Sequence, residues 1–266
     1  MAGILYSAWI LGLHIYTLNA PNLGKPVSWQ CSKSTTMYNN STKAFIGIFT
    51  TKENTKRRDI IRSTYLQHKP DNIIYKFIIG RTLSRALKEE MDEHHDILPL
   101  DIEENMNQGK TLEYYRLMTD IFKGSHIDFI LKADDDAYLQ LERIYEDLSL
   151  TSRNMSYWGY LVGDTFMGGE CYGLSYDLAS WVASSPIPRR YKSGHEDSQV
   201  QKWFRWASVD KDVNYEVRNC RIHDHIDSGT VYSKEIDVNN TMIVHYLKKD
   251  DMFKDVHRKL YPTFHS

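Results

Sequence analysis

Apolar runs of strand length alternate with segments of helical periodicity along most of this chain. Ala44 to Phe49 is the first such run, and the polar turn Thr50 to Thr55 follows it. From Lys56 to Leu66 the residues Ile60, Ile61 and Tyr65 recur at helical spacing beneath a basic face of Arg57, Arg58 and Arg62. Ile73 to Ile79 predicts a second strand, Leu83 to His94 a helix, and Asp96 to Asp101 a short extended piece. Thr111 to Phe122 predicts a further helix with Leu112, Tyr115, Met118 and Phe122 on one face. The apolar run from Phe129 then ends abruptly in Asp134, Asp135 and Asp136, and a helical pattern (Tyr138, Leu141, Ile144, Tyr145, Leu148) follows at once. Strands alternating with helices in this way predict an α/β domain built from βαβ units around a largely parallel sheet.

The second half is less regular. Tyr157 to Gly169 mixes Gly, Tyr, Trp and Asp, the composition of a hairpin or loop lining a cleft. Gly168 and Gly169 permit either a turn or a close backbone approach to a ligand. Tyr176 to Ala183 predicts a helix that Pro186 and Pro188 stop, and a later helix buries Val200, Trp203, Phe204 and Ala207. Thr241 to Lys248 predicts a last strand with His245 near its end.

The first 43 residues have another character. Ile4 to Leu18 is apolar apart from Ser7 and His14, and as a helix it reaches only about 22 Å, short of the hydrocarbon core of roughly 30 Å. No Lys or Arg precedes it and Pro21 follows Ala20, so residues 1–20 are expected to form an uncleaved amino-terminal anchor rather than a signal peptide, with an amphipathic arm as the bland alternative. Residues 21–43, rich in Asn, Ser, Thr and Lys, predict a stem, and 44–266 the folded domain.

Composition narrows the function. A net charge of -2 excludes the electrostatic footprint of a nucleic-acid binder. Three cysteines without CxxC spacing support no zinc site and leave room for one disulfide. The sequons at Asn39, Asn40, Asn154 and Asn239 are usable only in a lumenal or secreted chain.

The candidate chemistry centres on the three adjacent aspartates. Side chains alternate along a strand, so Asp134 and Asp136 are expected to project to one side and Asp135 elsewhere. Such a cluster at a cleft calls for a hard divalent cation with oxygen ligands, magnesium, manganese or calcium, unless it is a solvated acidic turn. The strand, loop and basic helix start around Arg57 and Arg62 suit a phosphate or nucleotide, though a solvated basic face reads the same way. Ser193 and Glu196 have capping-box spacing, which would tie Glu196 to its own helix. Asp197 is then left in the first turn, ionised by the helix dipole, as a candidate general base.

Four ordered segments resemble blocks of the family 31 glycosyltransferases, the β-1,3-galactosyl- and N-acetylglucosaminyltransferases that include Fringe proteins. They are Arg57 to Tyr65, Asp96-Ile97-Leu98 through Lys110-Thr111, Lys132 to Leu139, and Gly168-Gly169 through Ser175 followed by Glu196-Asp197. The resemblance departs at Tyr65, where the family has Trp, and at Gly168-Gly169-Glu170-Cys171-Tyr172, which lacks a third Gly before Tyr. It implies a GT-A fold, a Rossmann-like nucleotide half joined to an acceptor half. It implies manganese, with magnesium as the substitute, and a UDP-sugar donor, UDP-galactose or a UDP-N-acetylhexosamine. By the same resemblance Asp136 and His245 ligate the metal, and Asp134 and Asp135 hold the ribose and donor sugar. Arg57 and Arg62 line or brace the nucleotide pocket, Thr50 and Lys248 also serve the nucleotide, and Asp197 is the base. The implied reaction is inverting transfer to a sugar hydroxyl of a glycan, glycoprotein or glycolipid, forming a β-1,3 link. The implied setting is the Golgi lumen behind a type II membrane anchor, with secretion or the ER lumen as the alternative. Two rival readings are a metal-dependent phosphohydrolase and a non-catalytic sugar-binding or chaperone relative.

Overall fold

The computed structural model describes residues 41–81 and 84–262. The expected anchor and most of the stem lie outside the described residues. Among the described residues no helix is long and apolar enough to cross a membrane.

The amino-terminal half runs β1 (Ala44–Phe49), α1 (Thr55–Ser63), β2 (Ile73–Gly80), α2 (Arg85–His94), β3 (Ile97–Leu100), α3 (Lys110–Ile121) and β4 (Phe129–Asp134). After it come β5 (Tyr138–Leu139), α4 (Leu141–Leu150), β6 (Ser156–Val162), β7 (Phe166–Ser175), α5 (Tyr176–Ser184), α6 (Pro186–Arg190) and α7 (Glu196–Trp206). The chain closes with β8 (Asn214–Val217), β9 (Ile222–Asp224), β10 (Ile243–His245) and α8 (Asp250–Leu260). Strands β3-β2-β1-β4-β7-β6-β8 form the main sheet, and β5-β10-β9 form a small second one. The pairings β1 with β2 and β4, β2 with β3, and β6 with β8 are parallel, whereas β7 is antiparallel to both its neighbours. Only β7 therefore runs against the sheet. The α/β class with a mostly parallel sheet flanked by helices is as expected.

Strict alternation assigns the two faces of the sheet. Ala44, Ile46 and Ile48 of β1 and Phe129, Leu131 and Ala133 of β4 pack into one core with α1, α4 and α8. Phe45, Phe49 and Ile130 enter the other, with Tyr114, Tyr115 and Met118 of α3 and Trp203 and Phe204 of α7. A strand buried on both faces reads as a continuous apolar run, which explains the sequence of β1 and β4. The close approach of α3 needs Gly47, where a Cβ would collide with the Tyr114 ring. The Tyr114 hydroxyl instead accepts from Gly47 N–H at 3.0 Å and donates to the Leu131 carbonyl, riveting the helix across β1 and β4.

Some elements differ from expectation. Tyr138 and Leu139 pair with β10 rather than opening the helix, because the residues after Asp136 are claimed by the small sheet before α4 begins. Helix α1 ends at Ser63 and the expected last turn is a separate 3-10 turn, Tyr65–His68. Pro186 does not merely stop α5; it starts α6 from the first turn, where its missing N–H costs nothing, and Ser185 Oγ accepts from Ile187 N–H at 3.3 Å.

Candidate active site

The carboxyl end of β4 and the start of β7 lie side by side, because Ala133 pairs with Cys171 in antiparallel register. Lys132 and Asp134 share a face of β4, two residues apart. The fully buried Lys132 ammonium reaches Asp134 Oδ1 at 2.7 Å, Glu196 Oε2 at 3.0 Å and the Gly169 carbonyl at 2.9 Å. Burial alone would discharge this amine, but Asp134, Glu196 and Asp197 outweigh burial and raise its pKa. Burial in turn pushes both the Asp134 and Glu196 carboxyls up, against the pull of Lys132.

Asp134, Asp136 and His245 each offer a ligand atom, and these atoms lie within 4.8 Å of one another. His245 Nδ1 is 2.7 Å from Asp224 Oδ1, and its Nε2 is 3.5 Å from Asp136 Oδ1. Burial would lower the His245 pKa, but hydrogen bonds to Asp136 and Asp224 reverse this and push it up to about 10. Asp136 is likewise held well below the ordinary carboxylate range, burial being overcome by His245 and Lys248. Lys248 Nζ pairs with Asp136 Oδ2. Two cationic side chains thus sit against this carboxylate, on the side where a divalent cation would bind. Two carboxylates and an imidazole braced by Asp224 make a donor set that fits a manganese- or magnesium-type ion.

Asp135 turns the other way. Its Oδ2 accepts from Thr50 Oγ1 at 2.5 Å and Asn54 Nδ2 at 2.8 Å, at the end of β1. Beside it Lys110 is buried and donates to the Thr50 carbonyl at 2.9 Å and to Glu104 at 2.7 Å.

A cavity of about 370 Å³ opens from Asp134 and His245 and is lined further by Gly169, Glu170, Asp197 and Asp224. Asp197, in the first turn of α7, packs against the bare face of β7: a Cβ on Gly169 would collide with its Oδ1. The glycine is therefore a strand residue cleared for a carboxylate, not part of a turn. Glu170, which sequence reasoning did not single out, enters the same cavity. Burial pushes its carboxyl up to about 7, partly opposed by His245.

Two sequence expectations need correction. The capping box is absent: Ser193 Oγ donates to Gln108 Oε1, and the Glu196 N–H is capped by Asn107 Oδ1 at 3.0 Å from another loop. The Glu196 side chain is instead 6% exposed, and its Oε1 accepts from Thr111 Oγ1 at 2.9 Å. Arg62 is turned away from the cavity and braces α1 against Asp59, Glu90 and Asp96. Arg57 lies over the Phe253 ring at 4.6 Å, 3.9 Å from Asp250, and its Nη1 is buried without a hydrogen-bond partner. Of the cysteines, Cys171 is a buried free thiol and Cys220 is disulfide-bonded.

Residues 56–172 match the galactosyltransferase family model. This segment is similar to those of the family 31 glycosyltransferases. The similar family members include "Probable beta-1,3-galactosyltransferase 12" of Arabidopsis thaliana, 30% identical over 210 residues that cover 64% of this chain and 56% of that protein. Beta-1,3-galactosyltransferase 6 of Mus musculus is 28% identical, with 62% of each chain covered. A β-1,3-galactosyltransferase of Schizosaccharomyces pombe is 25% identical, covering 80% of this chain and 73% of that one. The chain thus spans a little over half the length of the first two relatives. Among solved structures, a glycosyltransferase involved in glycosylation of the major capsid of PBCV-1 superposes with a TM-score of 0.46 at 12% identity, over 81% of this chain and 99% of that one.

The family resemblance has a physical core in this structure. Thr111 from the second resembling block, Lys132 and Asp134 from the third, and Gly169 and Glu196 from the fourth belong to one connected network, with Asp197 packed against Gly169. The signal for Glu196 was its place in that block; the capping spacing was a coincidence. Asn54 and Asp224 had no signal beyond a polar turn and a strand end.

Proposed function

We propose that the protein is an inverting hexosyltransferase that moves a sugar from a UDP-sugar, UDP-galactose by preference, to a sugar hydroxyl, forming a β-1,3 link. The observation that carries this is that Asp134 and His245, which with Asp136 offer ligand atoms within 4.8 Å of one another, line one cavity with Asp197. Asp136, His245 and Asp134 would hold a manganese ion, with magnesium as the substitute, and such an ion would supply positive charge against the leaving diphosphate. Asp135, fixed by Thr50 and Asn54, holds the ribose, and the unpartnered Arg57 Nη1 and the half-exposed Lys248 are donors for the nucleotide. Asp197 lines the same cavity beside Gly169 and takes the proton of the acceptor hydroxyl as that oxygen attacks the anomeric carbon. A single carboxylate acting with in-line departure of the diphosphate inverts the configuration, with no glycosyl-enzyme required.

The disulfide at Cys220 supports an oxidising compartment, in keeping with a lumenal Golgi domain behind an amino-terminal anchor. Incubation with UDP-sugars, manganese and sugar acceptors tests the reading. UDP release coupled to glycoside formation supports it; release of inorganic phosphate points to a phosphohydrolase, and no turnover with any donor to a non-catalytic relative.

A further inference from the structure

The cavity that holds Asp197 does not extend to Thr50 or Asp135. It begins at Asp134 and His245 and runs away from the nucleotide side. Its far walls are aromatic: Tyr160 and Tyr232 meet edge to face with centroids 5.6 Å apart, and Phe166 and Tyr246 add to the lining. A sugar ring presents an apolar face that rings can cover and an edge of hydroxyls that needs polar partners. The second requirement points to Glu170.

Side chains alternate along β7, so Gly168 and Glu170 share one face while Gly169 and Asp197 meet on the other. A Cβ on Gly168 would collide with Glu170 Oε2, so the carboxyl folds back over the bare backbone of Gly168. Glu170 and Asp197 thus reach the cavity from different sides of the strand. Burial withdraws the Glu170 carboxyl from much of its water, yet among the described residues no side chain donates to it. A carboxyl in that condition lacks donors, and hydroxyls supply them.

We propose that Glu170 binds the acceptor: its carboxylate receives hydrogen bonds from hydroxyls of the acceptor sugar next to the one that reacts, while Tyr160 and Tyr232 cover the apolar face of the ring. This rests on the glycosyltransferase reading. It makes Glu170 a specificity-determining residue and leaves proton removal to Asp197.

The test compares the wild type with Glu170→Gln and Glu170→Gly, using UDP-galactose, manganese, and methyl β-galactoside, β-glucoside and β-N-acetylglucosaminide as acceptor probes. For Glu170→Gly the acceptor KM should rise by roughly 10- to 100-fold, the usual effect of losing hydrogen bonds to a charged partner. Its KM for UDP-galactose and its acceptor-free release of UDP should stay within about twofold, because donor contacts lie at the other end of the cavity. Glu170→Gln, which keeps one acceptor oxygen, should fall between the two. A general structural role would instead move donor and acceptor constants together. An active wild type whose Glu170→Gly variant keeps its acceptor KM, or loses donor affinity in parallel, overturns the proposal alone. A wild type that releases no UDP with any of these probes overturns the parent reading and this one with it.

Discussion

Two ionic clusters in this protein are built on opposite terms. In the first, Arg58 is fully buried and donates to Glu90 Oε1 at 2.7 Å and Oε2 at 2.6 Å, while Arg62 binds Glu90, Asp96 and Asp59. Each guanidinium nitrogen of Arg62 has a carboxylate partner, and the cluster closes on itself. In the second, Asp134, Glu170, Asp197 and Asp224 line one cavity with Asp136 beside it, and Lys132, Lys248 and His245 pair with these acids. Buried charge is tolerated when it is paired, so the closed cluster is a structural brace. An excess of carboxylates facing a cavity is costly, and on the proposed reading a bound cation offsets that cost. On that reading the same residue types serve stability in one place and ligand binding in the other.

If the distinction holds, damage to each cluster should appear in a different measurement. The largest effect belongs to the open cluster. Asp197→Asn keeps its shape and should lower turnover by roughly 10²- to 10⁴-fold while UDP affinity and melting temperature stay close to those of the wild type. Normal turnover in that variant would remove Asp197 as the base.

The closed cluster should behave in reverse. Glu90→Ala leaves two guanidinium groups without a shared partner and should cost about 3–5 kcal/mol of stability in a denaturant titration. The protein that remains folded should turn over normally. Burial works against the Glu90 carboxylate, but Arg58 and Arg62 outweigh it and lower its pKa from 4.5 to about 2. Its contribution is present above the unfolded value of 4.5 and is lost as pH falls through about 2. An acid titration of the variant should therefore lack that part of the wild-type decline.

Asp224→Asn tests the link between the clefts' inner and outer residues. It weakens the brace on His245 Nδ1 without touching a ligand atom, and should raise the manganese needed for half-maximal UDP release by roughly 10- to 100-fold. Equal manganese curves for variant and wild type would reduce Asp224 to a packing residue.

The smallest effect is on stability at Glu170. Burial raises its pKa from 4.5 to about 7, with Asp134 and Asp197 adding to the rise and His245 opposing it. A raised carboxyl contributes stability that is complete below the unfolded value and lost as pH climbs through the folded one. Glu170→Gln should accordingly gain on the wild type between pH 5 and pH 8, as read from the difference in melting temperature at the two ends.

Much of this arrangement was legible in the chain. The apolar run that stops at Asp134, broken only by Lys132, announced a buried strand opening into a cleft. The helical and strand periods of the amino-terminal half gave its elements to within a few residues. What escaped was long-range pairing. Ser193 and Glu196 have the spacing of a local cap, but Asn107 from a distant loop takes the N–H, and the buried Lys132 takes the carboxylate. Arg62 was read as facing a nucleotide because its basic face is visible in sequence, whereas the acids that neutralise it, Glu90 and Asp96, come 28 and 34 residues later. Tyr138 was placed in a helix because its strand partner, Val244, is supplied by the far end of the chain.

The reversed direction of β7 has a bearing on how such a protein diversifies. Strands β6 and β7 leave and return through a tight connection at 163–165, and the residues flanking it, Val162 and Phe166, line the cavity. The wall on that side is one short excursion of the chain, hung from neighbouring strands. It can lengthen, shorten or change its side chains without shifting the strand ends that carry Thr50, Asp134 and Asp136. One half of the chemistry can be inherited intact while the other is rewritten by edits confined to a hairpin tip.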